Sequence, residues 1–125
     1  MDNSINGELR DQTVHSLCLE FWKLCKNAAR ATDQLNEKDG KRLTAKINYS
    51  KKQLETLTEK MGLKLVEFDG EEFHPGIPAS ADNAGDFEDG KPLVVTRTLE
   101  PAVVQDMRLL RPGRVVVGPI QKETE

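Results

Sequence analysis

The chain is short of aromatic residues. Only 5% of its 125 residues are Phe, Trp or Tyr, so any core must be aliphatic and thin. No apolar run approaches the ~20 residues that a membrane-spanning helix needs. Met1 to Thr13 has neither an apolar leader core nor an Arg-rich transit pattern, which sets the cytoplasm as the expected location and no membrane as the expected partner. Cysteine occurs twice, at 18 and 25, without Cys-x-x-Cys spacing. That excludes a recognisable zinc site or disulfide framework. Gly-x-Ser-x-Gly, a phosphate-binding Gly-Lys loop and His-Glu-x-x-His are all missing. The chain is therefore read as no enzyme, with no catalytic residue, no cofactor and no metal. A slight excess of acid over base, 21 residues to 18, argues against nucleic acid as a partner held by bulk charge.

Proline is also unevenly missing. All six prolines (75, 78, 92, 101, 112 and 119) lie in the second half, and the first 62 residues have none. Such a stretch can run as uninterrupted helix, because no ring removes an i→i−4 donor. Charge divides at the same point. Residues 1–62 carry 11 basic and 9 acidic residues, and residues 63–125 carry 7 and 12. The expected organisation is a helical dimerisation region over 1–62, a small β-domain over 63–120 and a frayed tail over 121–125.

What the first half does contain is helical periodicity. Val14, Phe21, Ala28 and Leu35 are seven apart, with Leu17, Leu24 and Ala31 between them. This is a heptad-type stripe, widened on one side by Cys18, Trp22 and Cys25. The polar run Asn36 to Gly40 interrupts it. A second stripe follows in a shifted phase: Leu43, Ile47, Leu54, Leu57 and Met61. Two helices, roughly 8–37 and 41–61, folded as a hairpin and capped by Gly62, satisfy both. A lone hairpin buries little surface. Two hairpins forming a homodimeric four-helix bundle follow as the expectation, with Val14, Leu17, Phe21, Leu24, Ala28, Leu43, Ile47, Leu54 and Leu57 at its core.

The second half changes period. Strands are expected at 63–68, 93–99, 103–110 and 114–117, four or five in all and antiparallel, with 74–91 a flexible acidic loop. Pro92, Pro101 and Pro112 fall at strand borders. The fold class is thus α+β, a helical hairpin followed by a small all-β module. Cys18 and Cys25, two turns apart on a helix and so ~10 Å from one another, read as core residues in a reducing compartment. His15 and His74 lack motif partners. Arg97, Arg108, Arg111 and Arg114 gather in this half against its net negative charge. Arg108-Leu109-Leu110-Arg111-Pro112 sets arginines around a turn beside aliphatics, an interface composition, so Leu109, Arg111 and Pro112 join Arg108 as candidate partner-binding residues.

Three segments in order carry a resemblance. Leu54 to Leu63 (Leu-Glu-Thr-Leu-Thr-Glu-Lys-Met-Gly-Leu), Gly70 to Pro75 (Gly-Glu-Glu-Phe-His-Pro) and Asp106 to Val117 (Asp-Met-Arg-Leu-Leu-Arg-Pro-Gly-Arg-Val-Val-Val) resemble the helix end, the Gly-Glu-x-Phe-Asp-Pro segment and the terminal block of GrpE-type nucleotide exchange factors. The resemblance spans roughly 43–118. It implies a homodimer with a β-wing on each protomer, a stress-response co-chaperone that binds the nucleotide-binding domain of a DnaK-type chaperone and speeds ADP release. It also implies wing contacts at Leu99 and Arg108. The family's long stalk has no counterpart ahead of the first helix, so the implied form is short. His74 stands where the family has Asp, and Pro101-Ala102 where its strand turn often has Gly. The alternative is an adaptor or scaffold dimer without exchange activity.

Overall fold

A computed structural model of the chain describes residues 3–120, with side chains from Gly7 onward. The tail expected to fray, 121–125, lies outside the described residues. The chain separates into two compact units, Met1–Met61 and Gly62–Glu125. The fold class is α+β: two long helices, then a curled set of short strands.

In the first unit, α1 runs Asn3–Ala31 and α2 runs Glu37–Glu59. A short 3₁₀ turn at Thr32–Gln34 joins them. The turn therefore falls before residues 36–40, not at them. Its cause is Asn36, which caps α2: the Asp39 N–H donates to Asn36 Oδ1 at 2.8 Å, while Asn36 Nδ2 donates to Asp39 Oδ2 at 3.0 Å. The first of these bonds satisfies one orphan backbone donor of the helix start, and the second holds the capping side chain in place. It puts Gly40 inside the first turn of α2, where its N–H bonds to Asn36 C=O at 2.8 Å. Glycine there serves packing, since a Cβ would stand 3.2 Å from the Thr32 carbonyl oxygen.

The inside of the hairpin unit differs from the heptad reading. Cys18, Leu19, Trp22, Cys25 and Ile47 are buried. These α1 positions follow i, i+1, i+4, i+7, one helical face. The stripe expected at the core of a dimeric bundle lies beside this buried face. Leu17 and Leu24 remain 64% and 65% exposed, Leu57 57% and Phe21 37%. Val14, Ala28, Leu43 and Leu54 are half-buried.

The second unit holds seven strands where four or five were expected. They are β1 Leu63–Val66, β2 Glu72–Phe73, β3 Ala79–Ala81, β4 Leu93–Glu100, β5 Ala102–Gln105, β6 Arg108–Arg111 and β7 Gly113–Pro119. One sheet has the order β1-β5-β6 and the other β2-β4-β7-β3. Not all pairing is antiparallel, because β3 runs parallel to β7. The stretch 103–110 is not one strand. Asp106 and Met107, with φ of 49° and 68°, form a two-residue turn between β5 and β6. A turn with both central residues left-handed matches strand twist, but Asp-Met is an unusual occupant and carries no Asn-Gly signal.

Two proline corners link the sheets. Pro101 separates β4 from β5, and Pro112 separates β6 from β7. Arg111-Pro112-Gly113 is thus a crossing between sheets and not a hairpin turn. Gly113 is required by closeness: a Cβ would lie 2.8 Å from a Phe68 ring carbon and 3.0 Å from the Glu100 carbonyl oxygen. Bulges at Thr96 and Leu99 bend β4 against β7, which is how a short sheet curls. The core is aliphatic around one ring: Phe68, Val95, Ala102, Val115 and Val117.

The segment 74–91 is stitched down, not loose. Beyond β3, Asn83 continues the ladder with its side chain: its Nδ2 donates to Val117 C=O and its Oδ1 accepts from Val117 N–H, both at 2.9 Å. An amide side chain here does the work of a peptide group. His74 has a local role, accepting the Gly76 N–H on Nδ1 at 3.0 Å.

Candidate protein-interaction surface

The four clustered arginines separate into different jobs. Arg114 on β7 forks between two carboxylates. Its Nη1 donates to Glu100 Oε1 at 3.1 Å, its Nε donates to Asp82 Oδ1 at 3.3 Å, and its Nη2 binds the other Asp82 oxygen. Glu100, directly opposite in the ladder, is buried. The Arg114 hydrogen bond holds the Asp82 carboxyl below the ordinary aspartate range, helped by the guanidinium charge and opposed by desolvation. The same carboxylates push Arg114 upward. This fork ties β3's end to β7, and is spent inside the unit. Arg97 is exposed on β4, away from β6 in the strand order.

Arg108 and Arg111 are different. They bound β6, and all four residues of that strand are exposed. Neither makes an ion pair among the described residues. Leu109 and Leu110 are 49% and 47% exposed, and Met107 at the adjoining turn is 97% exposed. A strand normally hides one face. Here the register explains the departure: Arg111 pairs with Val103 and Leu109 with Val104, leaving Leu110 as an extra, bulged residue. Beside this runs Asp106, whose N–H bonds to Gly62 C=O at 3.0 Å. The turn is thereby braced in its strained conformation. Strain held in place by surrounding structure is a mark of functional loops.

Of the partner-binding candidates, Arg108, Leu109, Arg111 and Pro112 are exposed along one strand and its corner. Leu99 is half-buried and sits at a bulge of the other sheet. The structure does not pair Leu99 with Arg108 in a ladder. Arg108 lies opposite Gln105, at the turn end of β6. Met107 and Leu110 were missed from the sequence. Met107 had no signal beyond lying in the matching segment, and Leu110 depends on a bulge.

The second surface is on the helical unit. Leu17 and Phe21 of α1 and Leu54 and Leu57 of α2 line an open apolar cleft of about 350 Å³, with Ser50 and Gln53 along it. Among the nine dimerisation candidates only Ile47 is fully buried within the hairpin. Cys18 and Cys25 are free thiols. Burial pushes both upward in pKa, for Cys25 against the nearby Lys51 charge. A raised pKa disfavours the thiolate, as expected of thiols buried for packing. Lys26 Nζ stands 5.4 Å from the Trp22 ring centroid, within cation–π range.

Among the described residues no group of three His, Cys, Asp or Glu could hold a metal ion. None of the described helices is long and apolar enough to cross a membrane. No family model, no curated protein and no solved structure matches the chain.

Proposed function

We propose that this chain is a compact GrpE-like exchange factor: a homodimer whose β-unit docks on the nucleotide-binding domain of a DnaK-type ATPase and promotes ADP release. The observation that carries the reading is β6, a strand exposed along its whole length, with two arginines that make no ion pair among the described residues around two leucines. Arginine is enriched among the residues that dominate protein-docking energetics, and exposed leucines beside it add apolar area to be covered. The three segments of the resemblance fall on the end of α2 and β1, on β2, and on the β5–β6 turn through β7.

The helical unit supports the dimer. Leu17, Phe21, Leu24 and Leu57 leave an apolar face uncovered, and two such faces related by a two-fold axis make a four-helix bundle. The factor does no covalent chemistry and needs no cofactor. It binds the open form of the ATPase better than the closed form, and that difference in affinity shifts the population toward release.

Acceleration of fluorescent ADP-analogue release from a DnaK-type ATPase is the expected result. An unchanged rate at saturating protein overturns the exchange role. Arg108→Ala and Leu99→Ala are each expected to weaken docking by about 1–3 kcal/mol, measured by calorimetry. A second reading, an adaptor that binds without opening its partner, is favoured by the open edge of β6, since docking on a sheet edge demands no domain motion. Binding that ignores nucleotide state selects that reading.

A further inference from the structure

Strand β6 ends its sheet, with β5 on one side and, among the described residues, no strand on the other. An edge of this kind offers backbone N–H and C=O groups to any extended chain. Its own side chains restrict which chain can use it. If two β6 strands met antiparallel about a two-fold axis, Arg108 of one copy would face Arg111 of the other at both ends. Like charges directly opposite are destabilising. The arginines therefore guard the exposed Leu109-Leu110 pair against a second copy. The same arginines, unpaired among the described residues, attract a strand that brings carboxylates to those two places.

We propose that β6 captures an extended acidic and aliphatic segment of a partner protein by strand addition. The partner's backbone pairs with the free edge of β6. Its aliphatic side chains cover Met107, Leu109 and Leu110, and its carboxylates meet Arg108 and Arg111. Because the four residues of β6 oppose only three of β5, carboxylates spaced two or three residues apart fit the span. The turn at Asp106-Met107 needs no reorganisation to receive the segment, since the Gly62 carbonyl already fixes it. This inference rests on β6 being the docking strand, and it adds the mode of docking and the chemistry of the partner.

The test uses the full chain, isotopically labelled, with a synthetic peptide carrying two glutamates around two valines and a second peptide with lysines in their place. The glutamate peptide is expected to slow hydrogen exchange of the β6 amides and to shift resonances from 105 to 111. The lysine peptide should bind about tenfold more weakly or not at all, which corresponds to about 1.4 kcal/mol. In Arg108→Glu/Arg111→Glu the preference should reverse. Arg108→Ala/Arg111→Ala, a milder change, should abolish the preference if the double reversal unfolds. Unprotected β6 amides, equal affinity for the two peptides, or a glutamate preference that survives both variants would overturn the inference. ADP release measured on the same samples separates the two claims. Acceleration without peptide capture sinks strand addition alone, and capture without acceleration sinks the exchange role alone.

Discussion

Gly62 shows how one residue can meet a turn that begins 44 positions away, at Asp106. Its φ is +67°, and a Cβ there would fall 2.2 Å from Asp106 Oδ1. Alanine in the left-handed region costs about 1–2 kcal/mol, and the clash adds to it. Gly62→Ala is expected to lower the denaturation midpoint by at least that conformational cost, with the Asp106 carboxylate forced to move aside. Asp106→Ala in the same chain should recover the clash portion and leave the rest. Equal midpoints for the single and double variants would contradict the side-chain clash. Asp82 gives a pH signature. Its carboxyl is held low by the Arg114 hydrogen bond, so the unfolded chain takes up the proton first as pH falls. The stabilisation is complete above the ordinary aspartate value of about 3.9 and is lost as pH drops through the lower folded value. Urea midpoints measured across this acid range should fall less steeply in Asp82→Asn than in the wild type. An unchanged slope would contradict the role of the fork.

At the scale of elements, the two faces of α1 make separate predictions. Trp22 is in the hairpin interior, and Trp22→Ala should cost about 3–5 kcal/mol with loss of helical signal. Leu17 and Leu24 are on the exposed face. Leu17→Asp/Leu24→Asp should keep the helical circular dichroism and sediment at the protomer mass of 14.0 kDa. A double variant with the mass of the wild type would contradict a dimer built on that face. Much of this unit was legible, because apolar spacing reports helices directly. The division of labour between adjacent stripes was not: Leu17 and Cys18 are neighbours in sequence, and only the position of α2 decides which points inward. The turn was misplaced because Gly40 suggested a stop, while the Asn36–Asp39 cap depends on side-chain bonding that composition does not reveal. In the β-unit the proline borders were readable. The parallel pairing of β3, the Asp106-Met107 turn and the bulges at Thr96, Leu99 and Leu110 were not, because register and bulges are settled by tertiary partners and not by local preference. Arg108 and Arg111 stood out as candidates from composition. Their contrast with Arg114 needed the positions of Asp82 and Glu100, which are 32 and 14 residues away from Arg114 in sequence.

At the scale of the whole molecule, the averages of the composition resolve into two economies. The helical unit is charged because one apolar interior and one apolar face suffice for it. The β-unit is acidic overall, yet carries on a single exposed strand two arginines with no ion pair among the described residues. In the proposed dimer, two copies of the docking strand would be linked in one particle, which raises effective concentration at a dimeric or clustered target. Exchange activity by this arrangement should depend on β6 and not on catalytic side chains. The most direct measurement is the rate of ADP-analogue release from a DnaK-type ATPase, titrated with the wild type and with Arg108→Ala. The expected result is a saturating acceleration by the wild type and a shift of the Arg108→Ala curve to higher concentration by about tenfold. No acceleration at saturation, or an Arg108→Ala curve that overlays the wild type while folding is intact, would contradict it.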